Sequence, residues 1–112
     1  MRINSLRKGK RGELEWVQFL KENGFDCRRG RQYNGIEGED VVGLPGIHQE
    51  VKRVEKLKIH DAISQSIQDA KNDDIPIVAH RKNRAKWLVT LQAEDFVRMY
   101  KAWIDQITEE EK

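Results

Sequence analysis

The fold of this chain is decided by the stretch Asp40-Val-Val-Gly-Leu-Pro-Gly-Ile-His-Gln-Glu50-Val-Lys52. Two short runs of β-favouring residues flank Pro45-Gly46, a dipeptide that is typical of a tight turn. The pattern therefore predicts a β-hairpin whose strands cover residues 40–44 and 47–53. Because a hairpin folds its first strand back along its second, the start of the first strand should lie beside the middle of the second.

This hairpin places three chemically useful side chains together. Successive side chains of a strand point to opposite faces, so Glu50 and Lys52 share one face. The fold of the hairpin lets Asp40 reach Glu50. Two carboxylates can hold Mg²⁺, and a lysine beside them can orient water and offset charge that develops on a phosphate. The alternative is a Glu/Lys ladder on a solvent-facing strand, which the pattern alone does not exclude.

Hydrophobic periodicity and turn signals extend the prediction to the rest of the chain. They predict helices over residues 8–23, 59–70 and 93–107, strands over residues 25–29, 75–79 and 87–91, and an exposed loop over residues 30–38. With the hairpin, the order is α-β-β-β-α-β-β-α. This order predicts an α/β fold with a mixed central sheet flanked by helices, in one domain that covers residues 1–112.

Glu13 is the fourth candidate for the site. It shares the apolar side of the first predicted helix with Val17 and Leu20, whereas Glu15 falls on the solvent side. A carboxylate on such a side is unfavourable unless it is paired or coordinated. Two interpretations are open: Glu13 stabilises the helix N-terminus by its charge, or it joins Asp40 and Glu50 at a metal ion. The second is favoured.

The charge of the chain is balanced overall but unevenly distributed. It has 21 lysines and arginines against 19 acidic residues, and the first 31 residues are strongly basic. Such a region suits a polyanion such as DNA, although a solvated charged surface remains an alternative for each residue. The candidate DNA-binding residues are Lys8, Lys10, Arg11, Arg28, Arg29, Arg31, Lys56 and Lys58. Gln65 and His48 are weaker candidates for the site, and for His48 we expect an ordinary place on the strand surface.

Other features limit the class of protein. No apolar run is long enough for a membrane span, and the basic N-terminus lacks the apolar core of a secretory signal. The single cysteine, Cys27, excludes an internal disulfide and fits a reducing cytoplasm. We therefore expect a cytoplasmic protein with no membrane partner and no small-molecule cofactor.

The residues 8–25, Glu39-Asp40-Val-Val and Gln49-Glu50-Val-Lys52 resemble the archaeal-type Holliday junction resolvases, which belong to the PD-(D/E)xK nuclease superfamily. The resemblance implies a restriction-endonuclease-like fold and a homodimer that nicks four-way DNA junctions symmetrically. It implies that Glu13, Asp40, Glu50 and Lys52 are catalytic, with the three carboxylates on the metal. In this chain the residue before Asp40 is Glu39 rather than proline, and residues 30–39 lack the serine that the family often has there.

The sequence therefore predicts a Mg²⁺-dependent, structure-selective DNA endonuclease, in which Mn²⁺ should substitute for Mg²⁺. A broad apolar stripe on the last helix favours a homodimer, since it exceeds what a small monomer buries. Two alternatives stay open. One is a related nicking or restriction-like nuclease with another DNA substrate. The other is a non-catalytic DNA-binding module of the same fold.

Overall fold

The structure is a computed structural model that describes the backbone of residues 2–30 and 39–111, and the side chains of residues 9–30 and 39–111. Its helices are α1 (Arg2–Glu22), α2 (Ile59–Asp69) and α3 (Ala93–Glu110). Its strands are β1 (Arg28–Arg29), β2 (Val41–Val42), β3 (Ile47–Arg53), β4 (Ile75–Arg81) and β5 (Leu88–Leu91). The predicted order of elements is confirmed.

The five strands form one mixed sheet in the order β1-β2-β3-β4-β5. The β2–β3 hairpin is antiparallel and turns at Gly46, whose φ of 84° favours glycine. Strands β3 and β4 are parallel, as a connection through a helix allows, and β5 returns antiparallel to β4. The predicted α/β fold with a mixed sheet and flanking helices is therefore confirmed.

Helix α1 packs on one face of this sheet. Trp16, Val17 and Leu20 are buried with Val51 and Ala79 from the two central strands. The indole Nε1 of Trp16 donates a 2.7 Å hydrogen bond to the side-chain oxygen of the fully buried Gln49. This bond satisfies a polar group in the core and fixes the position of α1 along β3.

Helix α2 connects β3 to β4 and covers the other face. Ala62 and Ser66 are buried, and the Ser66 hydroxyl donates a 2.9 Å hydrogen bond to the backbone oxygen of Ile77. Val78, whose side chain must point away from that of Ala79, is fully buried. The two helices therefore bury both faces of the central strands.

Several boundaries differ from the predicted ones. Helix α1 begins at Arg2 rather than at residue 8, because residues 2–7 contain several good helix formers although they lack an apolar stripe. Strand β1 is only two residues long, and β4 continues two residues past Ala79 to Arg81. The last two residues of β4 are polar, so a prediction based on apolar residues alone ended this strand at Ala79. Leu14 of α1 is 47% exposed, so not every apolar residue of this helix faces the sheet.

Helix α3 is amphipathic but buries none of its residues within the chain. Its large apolar side chains are exposed, and Trp103 is 56% exposed. Together with the sheet, α3 borders an apolar groove of about 550 Å³, which includes Trp16, Ile77, Phe96 and Tyr100. None of the described helices combines the length and the apolar composition that a membrane crossing requires.

Candidate active site

Asp40 lies immediately before β2 and is fixed by the neighbouring strand. Its backbone N–H donates to the oxygen of Gln49 at 3.0 Å, and its Oδ2 accepts a hydrogen bond from the backbone N–H of Val51 at 2.8 Å. The hairpin therefore places Asp40 beside Val51, which lies between Glu50 and Lys52 on β3. This part of the predicted geometry follows from the two-residue period of β3 and the turn at Pro45-Gly46.

Asp40 and Glu50 lie close enough to interact strongly. Burial, then the charge of Glu50, raises the pKa of Asp40 to about 7, and the charge of Glu13 contributes in the same direction. The hydrogen bond from Val51 opposes this rise without cancelling it. The burial of Asp40 and the nearby charge of Glu50 thus act in the same direction on its pKa, and a carboxyl perturbed in this way is typical of functional sites.

His48 binds the carboxylate of Glu50, contrary to the expected place on the strand surface. Its Nε2 lies 3.0 Å from Oε1 of Glu50, and both side chains are only 3% exposed. Burial by itself would lower the pKa of His48, but the hydrogen bond and charge of Glu50, followed by the charge of Glu39, raise it overall. His48 therefore holds the Glu50 carboxylate in one orientation. The two-residue spacing predicted that His48 and Glu50 share a face of β3, but it did not predict that this face is buried there.

Glu13 is mostly buried, with its side chain 14% exposed, as its place on the apolar side of α1 predicted. Its Oε1 accepts a 2.8 Å hydrogen bond from Nε of Arg29 on β1. This ion pair ties α1 to the edge strand and places Glu13 near Asp40. It gives Glu13 a charged partner within the chain, so the unfavourable burial is compensated without a metal.

The donors near Asp40 fit a hard divalent cation in type. Carboxylate oxygens are the ligands that Mg²⁺ prefers, and a cation would relieve the repulsion between Asp40 and Glu50. Over residues 9–30 and 39–111, no group of three or more histidine, cysteine, aspartate or glutamate side chains is arranged to hold a metal. Glu13 points to Arg29 instead, so the described site consists of a carboxylate pair with a third carboxylate nearby.

Lys52 follows Glu50 by two residues and points to the same face of β3. It is half-buried at the end of the strand. Within the described residues it has no salt-bridge partner, so its ammonium group is free to meet an anion beside the carboxylate pair.

The predicted DNA-binding residues occupy several places. Lys10 and Arg11 are exposed on α1 within three residues of Glu13, and Arg28 is exposed on the edge strand. Arg29 is engaged by Glu13. Lys56 and Lys58 are exposed between β3 and α2, whereas the side chain of Lys8 and all of Arg31 lie outside the described residues. Gln65 is exposed on α2.

Glu15 was placed on the solvent side of α1, and its side chain is 37% exposed, but its two charged partners were not predicted. Its Oε1 accepts hydrogen bonds from Arg53 Nε at 3.2 Å and from a terminal nitrogen of Arg81 at 3.0 Å. The structure therefore contains a charged contact that joins α1 to the ends of β3 and β4. The contact could not be found from periodicity, because the partners lie 38 and 66 residues away in sequence.

Comparison with solved structures relates this arrangement of strands and helices to a DNA-processing enzyme. The chain is similar to Hjc, a Holliday junction resolvase from the archaeal hyperthermophile Archaeoglobus fulgidus. The two share 25% sequence identity and a TM-score of 0.57 over 75% of this chain and 72% of the resolvase chain. No protein-family model and no curated protein matches the sequence. The fold is thus Hjc-like, and it supports a nuclease of that fold.

Proposed function

We propose that this protein is a Mg²⁺-dependent endonuclease that hydrolyses phosphodiester bonds in four-way DNA junctions. The observation that carries the proposal is the placement of Asp40 against β3 beside Glu50, with Lys52 on the same face as Glu50, in a resolvase-like fold. A carboxylate pair that is buried at a cost in stability is expected where a cation or a reaction needs it.

In this proposal Asp40 and Glu50 hold the metal ion, and His48 fixes the orientation of Glu50. The bound Mg²⁺ supplies an activated water and offsets the charge of the phosphate; Mn²⁺ should supply the same chemistry. Lys52 stabilises negative charge on the phosphate oxygens through its ammonium group. Glu13 adds negative charge near Asp40 while it holds Arg29 at the edge of the site.

The apolar surface of α3 supports the proposal that the protein acts as a homodimer. Phe96, Tyr100 and Trp103 are each about half exposed and follow one another along the helix, with the first two rings stacked and the last two tilted. A contiguous apolar surface of this kind on a small domain typically marks an interface. A dimer with two-fold symmetry would present two active sites to the opposed strands of a four-way junction.

The experiment compares cleavage of a synthetic four-way junction and a linear duplex of the same sequence, in Mg²⁺ and in EDTA. We expect Mg²⁺-dependent, paired cuts in the junction and much slower cleavage of the duplex. Asp40→Asn should lower the junction rate at least about 100-fold, since loss of a metal ligand removes several kcal/mol of transition-state stabilisation. Asp105→Asn, on an exposed position of α3, is the matched control and should cut normally.

Each contrary result has a definite meaning. Equal cutting of both substrates would favour a nicking or restriction-like nuclease. Junction binding without cleavage in Mg²⁺ or Mn²⁺ would favour a non-catalytic DNA-binding module. Undiminished cutting by Asp40→Asn would contradict the assignment of the site.

A further inference from the structure

The turn between β4 and β5 is an exposed segment that several side-chain hydrogen bonds attach to the rest of the chain. It carries three exposed cations, Lys82, Arg84 and Lys86, within five residues. None of the three has a salt-bridge partner within residues 9–30 and 39–111. Three unpaired like charges so close together repel one another, so their proximity needs either full solvation or an anion.

A set of side-chain bonds fixes this turn from several elements. Asn83 accepts a 2.9 Å hydrogen bond from Arg53, and its backbone N–H donates to Glu55 at 2.6 Å. Arg81 donates from Nε to the backbone oxygen of Ala85 at 2.7 Å. Glu15 of α1 binds Arg53 and Arg81 with one oxygen. We call Glu15, Arg53, Glu55, Arg81 and Asn83 the turn frame.

The turn frame is more than an isolated turn requires. A short connection between antiparallel strands needs no ion pairs to other elements, and long surface side chains lose rotamer freedom when they are held. Arg84 also has a φ of 59°, in the left-handed region that residues other than glycine and asparagine rarely adopt. Together these features hold the backbone that carries the cations in one place relative to the sheet.

That place adjoins the candidate active site. Strands β3 and β4 are parallel and in register, with Lys52 beside His80 and Arg53 beside Arg81. The turn therefore begins at the sheet edge where Lys52 lies. A cavity of about 390 Å³ at this edge is lined by residues of the turn frame and by Arg11 of α1. Arg11 of α1 and Asn83 of the turn thus border one concave surface, which the side chains of Glu15 and Glu55 also line.

We infer that Lys82, Arg84 and Lys86 form a phosphate-binding surface for a duplex arm of the DNA substrate, next to the scissile strand. This inference rests on the proposed function and extends it to a second contact region, distinct from the basic residues of the first 31. The three cations contact the sugar–phosphate backbone and carry no base specificity. The turn frame fixes the backbone that carries them, which lowers the backbone entropy lost on binding.

Binding of a fluorescent four-way junction, measured in Ca²⁺ across a range of salt concentrations, tests this surface. The variant Lys82→Gln/Arg84→Asn/Lys86→Gln removes the three charges, and asparagine suits the left-handed conformation at position 84. We expect its Kd at about 0.1 M salt to rise at least tenfold. The negative slope of the logarithm of the binding constant against the logarithm of the salt concentration should become shallower by about 2 to 3. Thermal melting should show an intact fold.

The matched control removes three exposed lysines from other parts of the chain, Lys21→Gln/Lys71→Gln/Lys101→Gln. It loses the same charge, but at positions away from the proposed surface. We therefore expect its Kd to change by less than about threefold and the salt dependence of binding to stay nearly the same. An equal loss of affinity in the two variants would overturn the inference, because net charge alone would then explain binding. Unchanged binding by the turn variant would overturn it as well.

Glu15→Ala tests the turn frame separately. Removing a negative charge near a DNA surface strengthens binding if only net charge matters. The inference predicts weaker binding, because the turn loses its attachment to α1. Equal or tighter binding would show that the frame has no positioning role. Failure of the proposed function has a different signature, since wild-type protein would then bind the junction in Ca²⁺ but leave it uncut in Mg²⁺.

Discussion

Replacing Asp40 with asparagine should make the metal-free protein harder to unfold at pH 8. In the folded protein, burial and the charge of Glu50 raise the pKa of Asp40 to about 7, against 3.8 for the ordinary side chain. Ionising Asp40 above pH 7 therefore opposes folding. Asparagine cannot ionise, and its side-chain oxygen can still accept the hydrogen bond from Val51.

The sign of the effect follows from proton linkage. Between pH 4 and pH 7 the folded state holds a proton on Asp40 that the unfolded state has lost, so stability falls as pH rises through this range. The interval between pKa values of 3.8 and about 7 corresponds to at most about 4 kcal/mol. We expect Asp40→Asn to add about 2–4 kcal/mol to the free energy of unfolding at pH 8 and little at pH 4.

Urea unfolding in EDTA at the two pH values measures this difference. Asp105→Asn, an exposed acidic residue on α3, is the control and should change stability by less than about 0.5 kcal/mol. Saturating Mg²⁺ at pH 8 should stabilise the wild type but not Asp40→Asn, since a cation relieves the repulsion. A destabilised Asp40→Asn at pH 8, or a stability gain of equal size at both pH values, would refute the reasoning.

Three further predictions concern other parts of the molecule. His48→Ala should raise the Mg²⁺ concentration for half-maximal stabilisation at least about threefold, and His48→Gln should restore part of the affinity for Mg²⁺. The same half-maximal concentration in the wild type and both variants would show that His48 does not position Glu50. Gly12→Ala should destabilise by about 1–3 kcal/mol in urea, because its Cβ would lie 2.6 Å from Cβ of Arg53, whereas Gly9→Ala has open space and should be neutral or stabilising. Trp103→Asp should convert a dimer to a 13.2 kDa monomer in sedimentation, and a wild type that already sediments as a monomer would contradict the proposed interface.

Much of the fold followed from local patterns. Periodic apolar residues identified the three helices, and the alternation of β3 with the turn at Pro45-Gly46 correctly joined Asp40 to Glu50. These features depend on the backbone geometry of residues that are close to one another in the sequence. The β3–β4 pairing and the docking of α1 depend on contacts that are distant in sequence, so local patterns carried little information about them.

The errors at the site have this same origin. The partners of Glu15 were missed, because its place on the solvent side of α1 gave no sign of Arg53 and Arg81 at the ends of two strands. His48 was expected on the surface, because the alternating pattern of β3 does not reveal that α2 packs on this face of the sheet. Glu13 was correctly placed among the partly buried residues, but its bond to Arg29 required the position of β1.

The central claim is that Asp40 and Glu50 form one divalent-cation site. Anomalous diffraction at the manganese edge, from crystals of the wild-type protein soaked in Mn²⁺, tests it most directly. We predict one anomalous peak per chain within coordination distance of both carboxylates, and its loss in crystals of Asp40→Asn. A peak bound elsewhere, or no peak at Mn²⁺ concentrations that support junction cleavage, would contradict the claim.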